Sequence, residues 1–204
     1  MNAIDRLTQH FRDFPGIGPR QSKRFVYFLL SRNRAYLEEL AKLIVEIKKE
    51  VHVCASCQRF FAQNGHASLC SICVDPNRDI GVLLLVEKDV DLENVERAKV
   101  YNGRYFVIGG TIPILEKEPE KRVRLLELVS KVKAGSAEGL KEIIVAFSVN
   151  AEGEHTAFLV ENILRPLVEE YKLKISHLGR GLSTGSELEY ADGETLKGAF
   201  SNRF

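Results

Sequence analysis

Two cysteine pairs constrain this chain more than any other feature. Cys54-x-x-Cys57 and Cys70-x-x-Cys73 are twelve residues apart, and they are the only four cysteines present. They fall in residues 51–79, a stretch with few large apolar side chains, which burial alone cannot fold. Each pair can wrap a tight turn that brings two thiolates to one ion. Two such turns complete a tetrahedral four-sulfur site, and soft sulfur ligands suit zinc. Four sulfurs close the shell and leave no position for water, so the predicted role of the metal is structural. An iron–sulfur cluster is the other reading these ligands allow. His52 and His66 read as surface residues, since the shell is already full. Binding and folding are coupled at such a site, so losing one cysteine is expected to destabilise the N-terminal half of the chain.

The 204 residues are 45% apolar, enough for one large domain or two to three small ones. Residues 1–50 read as helical, because Leu7 and Phe11, then Phe25, Phe28 and Leu29, then Leu37, Leu40, Ile44 and Ile47 recur at three- and four-residue spacings. From Ile80 the pattern changes. Gly81–Val86 is a continuous apolar run, as in a strand buried on both faces. A helix is predicted over 90–98, a strand over 105–108, a helix over 121–132, a strand over 143–147, a helix over 155–171 and a strand over 173–176. This rhythm predicts a mostly parallel sheet with helices on its faces. The predicted class is α+β in several parts: a helical region 1–50, a four-cysteine finger 51–79, an α/β domain 80–177 and a tail 178–204.

Net charge is only +1, but it is uneven. Residues 1–34 carry seven Lys/Arg against Asp5 and Asp13, a net of +5, whereas residues 80–204 carry 17 Lys/Arg against 20 Asp/Glu, a net of −3. A basic end of this kind suggests contact with nucleic acid. The basic end also contains Phe14-Pro15-Gly16-Ile17-Gly18-Pro19, through which no helix continues. A second helix beginning just after Gly18 would present unpaired amides to a phosphate, with Arg20, Lys23 and Arg24 within its first turns. The segment resembles the helix-hairpin-helix motif, which holds the DNA backbone without reading sequence. Gly16, Gly18, Arg20, Lys23 and Arg24 are the candidate DNA contacts.

The third part resembles the Toprim domain. Glu87 ends the first buried strand, and Ser148-Val149-Asn150-Ala151-Glu152-Gly153-Glu154 follows the third. In catalytic members that stretch reads Asp-x-Asp-x-Glu-Gly-Glu, with both aspartates on magnesium; here Ser148 and Asn150 stand in their places. Helix-hairpin-helix, four-cysteine finger and Toprim domain, in this order over nearly the whole chain, resemble the RecR family. The segment Arg180-Gly181-Leu182-Ser183-Thr184-Gly185-Ser186-Glu187-Leu188-Glu189-Tyr190-Ala191-Asp192 is similar to the tail of that family. Arg20 stands where lysine is more usual, which keeps the charge. Ser148-x-Asn150 differs from the commoner Asn-x-Thr, and both forms lack the aspartate pair.

The resemblance implies a non-enzymatic DNA clamp of recombinational repair, with no catalytic residues. It implies copies assembled into a tetrameric ring on single-stranded, double-stranded or gapped DNA, partly through the tail. It also implies RecO-like and RecF-like partners. Glu87, Glu152 and Glu154 then form an acidic patch for a basic partner. The rival reading is a magnesium-dependent nuclease or primase-like enzyme, against which the missing aspartates count. The opening MNAIDRLTQHF lacks the apolar core of a signal peptide, and no run approaches the length of a membrane span. A cytoplasmic protein without a membrane segment is expected.

Overall fold

Asn2, Gly18 and Asn33 each set the start of a helix. The Asn2 and Asn33 side chains accept hydrogen bonds from the backbone N–H of Asp5 and of Tyr36, both at 2.9 Å, the usual way a helix satisfies its first amides. Gly18 has no side chain to offer, and Pro19 follows at the first helical position, where its missing N–H removes one of those amides. The helices are α1 (Ala3–Arg12), α2 (Pro19–Leu30) and α3 (Arg34–Glu50). They make up one compact unit, Met1–His52. The computed structural model describes residues 1–62, 68–179, 181–182, 185 and 187–201. His66, Arg180, Ser183, Thr184 and Ser186 lie outside the described residues.

In this first unit Phe11 packs edge-on against Phe14 and Phe25, with centroids at 5.7 and 5.6 Å. These rings close the α1–α2 hairpin, yet only Ser22 and Val26 become fully buried. On α3, Leu43, Ile44, Val45 and Ile47 all remain exposed.

The second unit begins at Val53. Its sheet has the order β4-β3-β5-β6, built from β3 (Asp79–Val86), β4 (Gly103–Val107), β5 (Glu142–Ala146) and β6 (Lys174–His177). All three pairings are parallel; Leu84 faces Tyr105 on one side and Ile144 on the other. Central β3 is covered on both faces, which explains its unbroken apolar run. Leu83 and Leu85 join one core with residues of α6 (Leu125–Glu138) and α7 (Ala151–Tyr171). Leu84 and Val86 join the other core, with Leu92 of α5 (Asp89–Ala98) and all four cysteines.

The cysteine segment is therefore one wall of the sheet's core. It supplies a short strand pair, β1 (Val51–Val53) and β2 (Phe60–Ala62), and the one-turn helix α4 (Ser71–Val74). α8 (Gly193–Ser201) lies in the tail. α6 starts four residues later than its pattern predicts. Arg124 just before it is pinned instead, its N–H donating to the Ile108 carbonyl and its guanidinium to the Val107 carbonyl. α7 starts four residues earlier than predicted, because Asn150 caps it. Among the described residues no helix is long and apolar enough to cross a membrane.

Candidate nucleic-acid interface and metal centre

The α1–α2 hairpin turns at Gly16, whose φ of +73° favours glycine. Gly18 is extended and caps α2. Arg20, Lys23 and Arg24 are all exposed on the first turns of α2, and Arg20 and Arg24 lie across the helix from buried Ser22 and Val26. Arg24 touches the Gln21 side-chain oxygen at 3.4 Å. Among the described residues none of these cations has a carboxylate within ion-pair distance, unlike Arg34, which pairs with Glu38 at 2.7 Å. The five residues predicted to meet DNA thus occur on one exposed turn with its positive charge uncompensated.

Near the end of α2 lies a group that pattern reading passed over. Arg32 sits over the Phe28 ring at 4.1 Å and near the Tyr36 ring at 5.8 Å. The four-residue spacing of 28, 32 and 36 was a signal, obscured by the helix break at residues 31–33.

The cysteine site is built by two knuckles. In the first, the Gln58 N–H donates to the Cys54 carbonyl at 3.0 Å, and Gln58 turns through a left-handed φ of +63°. In the second, the Cys73 N–H donates to the Cys70 carbonyl at 3.0 Å. The Cys70 N–H also points at the Cys54 sulfur, at 3.4 Å, the kind of contact that steadies a thiolate. All four sulfurs lie within 4.8 Å of one another and are buried. Cys57 and Cys70 sulfurs are 3.6 Å apart, against the roughly 3.8 Å that a tetrahedron with ~2.3 Å zinc–sulfur bonds requires. Contact with Cys70, then with Cys73, then burial raise the Cys57 thiol far above its ordinary range. Contact with Cys57 lowers Cys70. The donor set fits zinc. His52 is exposed and is not one of the clustered ligands.

The knuckles are tied to the sheet by residues that sequence reasoning missed. Arg124 donates to the Gln58 carbonyl at 2.8 Å as well as to that of Val107 at 3.0 Å. Lys131 donates to the Ser56 hydroxyl at 2.7 Å, and the Val107 N–H donates to the Cys57 carbonyl at 2.8 Å. These bonds tie the finger to the sheet within the second unit.

The acidic residues do not form one surface. Glu87 is 4% exposed. Its carboxylate accepts the Ser148 N–H at 2.6 Å and the Ser148 hydroxyl at 2.9 Å. Asn150 is spent on capping α7, its side-chain oxygen accepting the Gly153 N–H at 2.8 Å. A Cβ on Gly153 would stand 2.0 Å from the Ser148 carbonyl oxygen, so only glycine fits. Glu152 and Glu154 are exposed in the first turn of α7, where the helix dipole favours anions. Glu152 also accepts from the Thr111 hydroxyl at 3.0 Å. The patch predicted from Glu87, Glu152 and Glu154 thus narrows to the last two, because burial takes Glu87 off the surface. Glu154 lines a cleft of about 960 Å³ together with Phe158, Glu161, His177 and Asp192.

Three family models match the chain. They are RecR, helix-hairpin-helix over residues 4–48, Toprim domain over 81–179, and RecR, C-terminal over 181–203. Recombination protein RecR of Chloroflexus aurantiacus is 36% identical over 200 residues, covering 98% of this chain and 93% of that one. That of Desulforudis audaxviator is 34% identical over 201 residues, covering 98% and 96%. That of Bifidobacterium animalis subsp. lactis is 36% identical over 201 residues, covering 98% and 95%. With likeness at this level along almost its whole length, the chain belongs to the RecR family.

Proposed function

We propose that this protein is a non-enzymatic, zinc-containing DNA clamp of recombinational repair. The observation that carries the reading is the exposed, uncompensated trio Arg20, Lys23 and Arg24 at the start of α2, beside the Gly16–Gly18 turn. Amides and cations that converge in this way suit phosphates and carry no means of reading bases. The name recombination protein borne by the relatives supports the process. Zinc on Cys54, Cys57, Cys70 and Cys73 holds the finger to the sheet and takes no part in chemistry. Copies assemble in a ring, tetrameric in the family's manner, so that weak phosphate contacts add up. Glu152 and Glu154 receive a basic partner of the RecO or RecF type, and the protein works in the cytoplasm.

The rival enzymatic reading meets a chemical obstacle. Magnesium that acts on phosphates needs charged oxygen ligands. Ser148 and Asn150 bring no charge, and the Glu87 oxygens are already engaged by Ser148.

The test is an Arg20→Ala, Arg24→Ala double variant. DNA affinity should fall for every sequence alike, and the slope of log affinity against log salt should shrink by about one per contact removed. Binding equal to the parent at low salt would reject the assignment.

A further inference from the structure

Arg20, Arg24 and Phe28 recur at four-residue intervals on α2, so they lie along one face of that helix. All three are exposed, and Phe28 lies about 12 Å along the axis from Arg20. Arg32, one interval further and just past the end of α2, folds back over the Phe28 ring at 4.1 Å. Tyr36, at the start of α3, meets Phe28 edge-on with centroids 6.3 Å apart. These contacts join α2 to α3 and still leave much of the group uncovered. Phe28 is 43% exposed and Tyr36 40%, and Arg32 is exposed with no carboxylate partner among the described residues.

A guanidinium laid on an aromatic ring, with its other side in solvent, is a flat cationic surface. Nucleobases stack on both aromatic rings and guanidinium planes. Inside a closed duplex each base face is already covered by its neighbours and only the two end faces are open, so an unpaired base is what such a surface favours. We propose that the Phe28–Arg32–Tyr36 group is a stacking site for an unpaired nucleobase, with the adjoining strand's phosphates on Arg24 and Arg20. The inference rests on the DNA-binding reading above and adds to it a strand form, single-stranded or gapped in preference to closed duplex.

The full-length protein is titrated with labelled oligothymidylate and with a blunt duplex of equal length. Phe28→Leu and Arg32→Lys keep apolar bulk and charge but remove the flat faces. Each should weaken single-strand binding about fivefold or more and duplex binding by less than about twofold. The Arg20→Ala, Arg24→Ala variant should weaken both ligands and lower the salt slope. Unchanged single-strand affinity in Phe28→Leu and Arg32→Lys, with both ligands lost by the arginine double variant, overturns the stacking site and leaves the DNA reading standing. No effect in the arginine double variant overturns the DNA reading and the stacking site with it. A drop in sedimentation mass for Phe28→Leu would make this face an interface between copies and would also overturn the proposal. Should Phe28→Leu fail to fold, Arg32→Lys carries the test, because the Arg32 side chain lies outside the core.

Discussion

Tyr105 lies in the middle of β4 with no exposed surface, and a hydroxyl buried there needs a partner. Glu96 accepts it at 2.6 Å and takes two further bonds from Arg78, at 2.7 and 2.5 Å. The Arg78 bonds hold the Glu96 carboxyl below its ordinary range against the opposing effect of burial, with help from Tyr105. Burial, then the contact with Glu96, push the Tyr105 phenol up. Folded Glu96 thus gives up its proton at lower pH than the unfolded chain does. Its contribution to stability is complete above the unfolded carboxyl range, about pH 4.3, and is lost as pH falls through the folded value. Glu96→Gln should cost about 2 kcal/mol at neutral pH, because Arg78 keeps its burial and loses its counter-charge. The gap between variant and parent should narrow below about pH 4. Denaturant unfolding at stepped pH checks this, and a gap that stays constant into acid would show that the ion pair is not its source.

At the scale of elements, the cysteine finger and the sheet behave as one piece. Removing zinc with a chelator, or making Cys57→Ser, should loosen the packing of Leu84, Val86, Tyr105 and Val107. The chain has no Trp and six Tyr, so its near-ultraviolet dichroism is largely tyrosine, and Tyr101 and Tyr105, edge-on at 5.0 Å in this core, contribute to it; Tyr101→Phe with Tyr105→Phe identifies their share. That signal should fall and the melting temperature should drop by about 10 °C or more. A metal-free protein with an intact tyrosine signal would sever the link. Much of this element level was legible beforehand. The run Gly81–Val86 reads as a strand because both its faces are buried, and two Cys-x-x-Cys pairs read as a metal site because spacing alone sets the chemistry. What could not be read were partners far apart in sequence. Arg124 reaches Gln58 across 66 residues, Lys131 reaches Ser56 across 75, and Ser148 reaches Glu87 across 61. No local pattern announces such pairings, so the docking of the finger and the burial of Glu87 were invisible. The three-residue strands β1 and β2 were too short to show a period.

At the scale of the whole molecule, the first unit leaves Leu43, Ile44, Val45 and Ile47 in solvent while burying little. A helical unit with so small a core gains from covering that stripe, and a second copy of the chain is the partner that the proposed ring supplies. Ile44→Glu with Ile47→Glu should lower the mass in solution and, by loss of avidity, weaken DNA binding well beyond any change in a single contact. Sedimentation at micromolar concentration decides it: a parent that is already monomeric, with and without DNA, would rule out assembly through this helix. The placing of the cysteines against the sheet also has a consequence in time. A chain leaves the ribosome from its N-terminus, so Cys54 to Cys73 emerge before β3, α5 and β4, whose side chains wall them in. During synthesis the four sulfurs have no apolar shelter, and a captured ion is what can gather them. If zinc is held as proposed, early capture would place it at the four sulfurs before the later strands close over them.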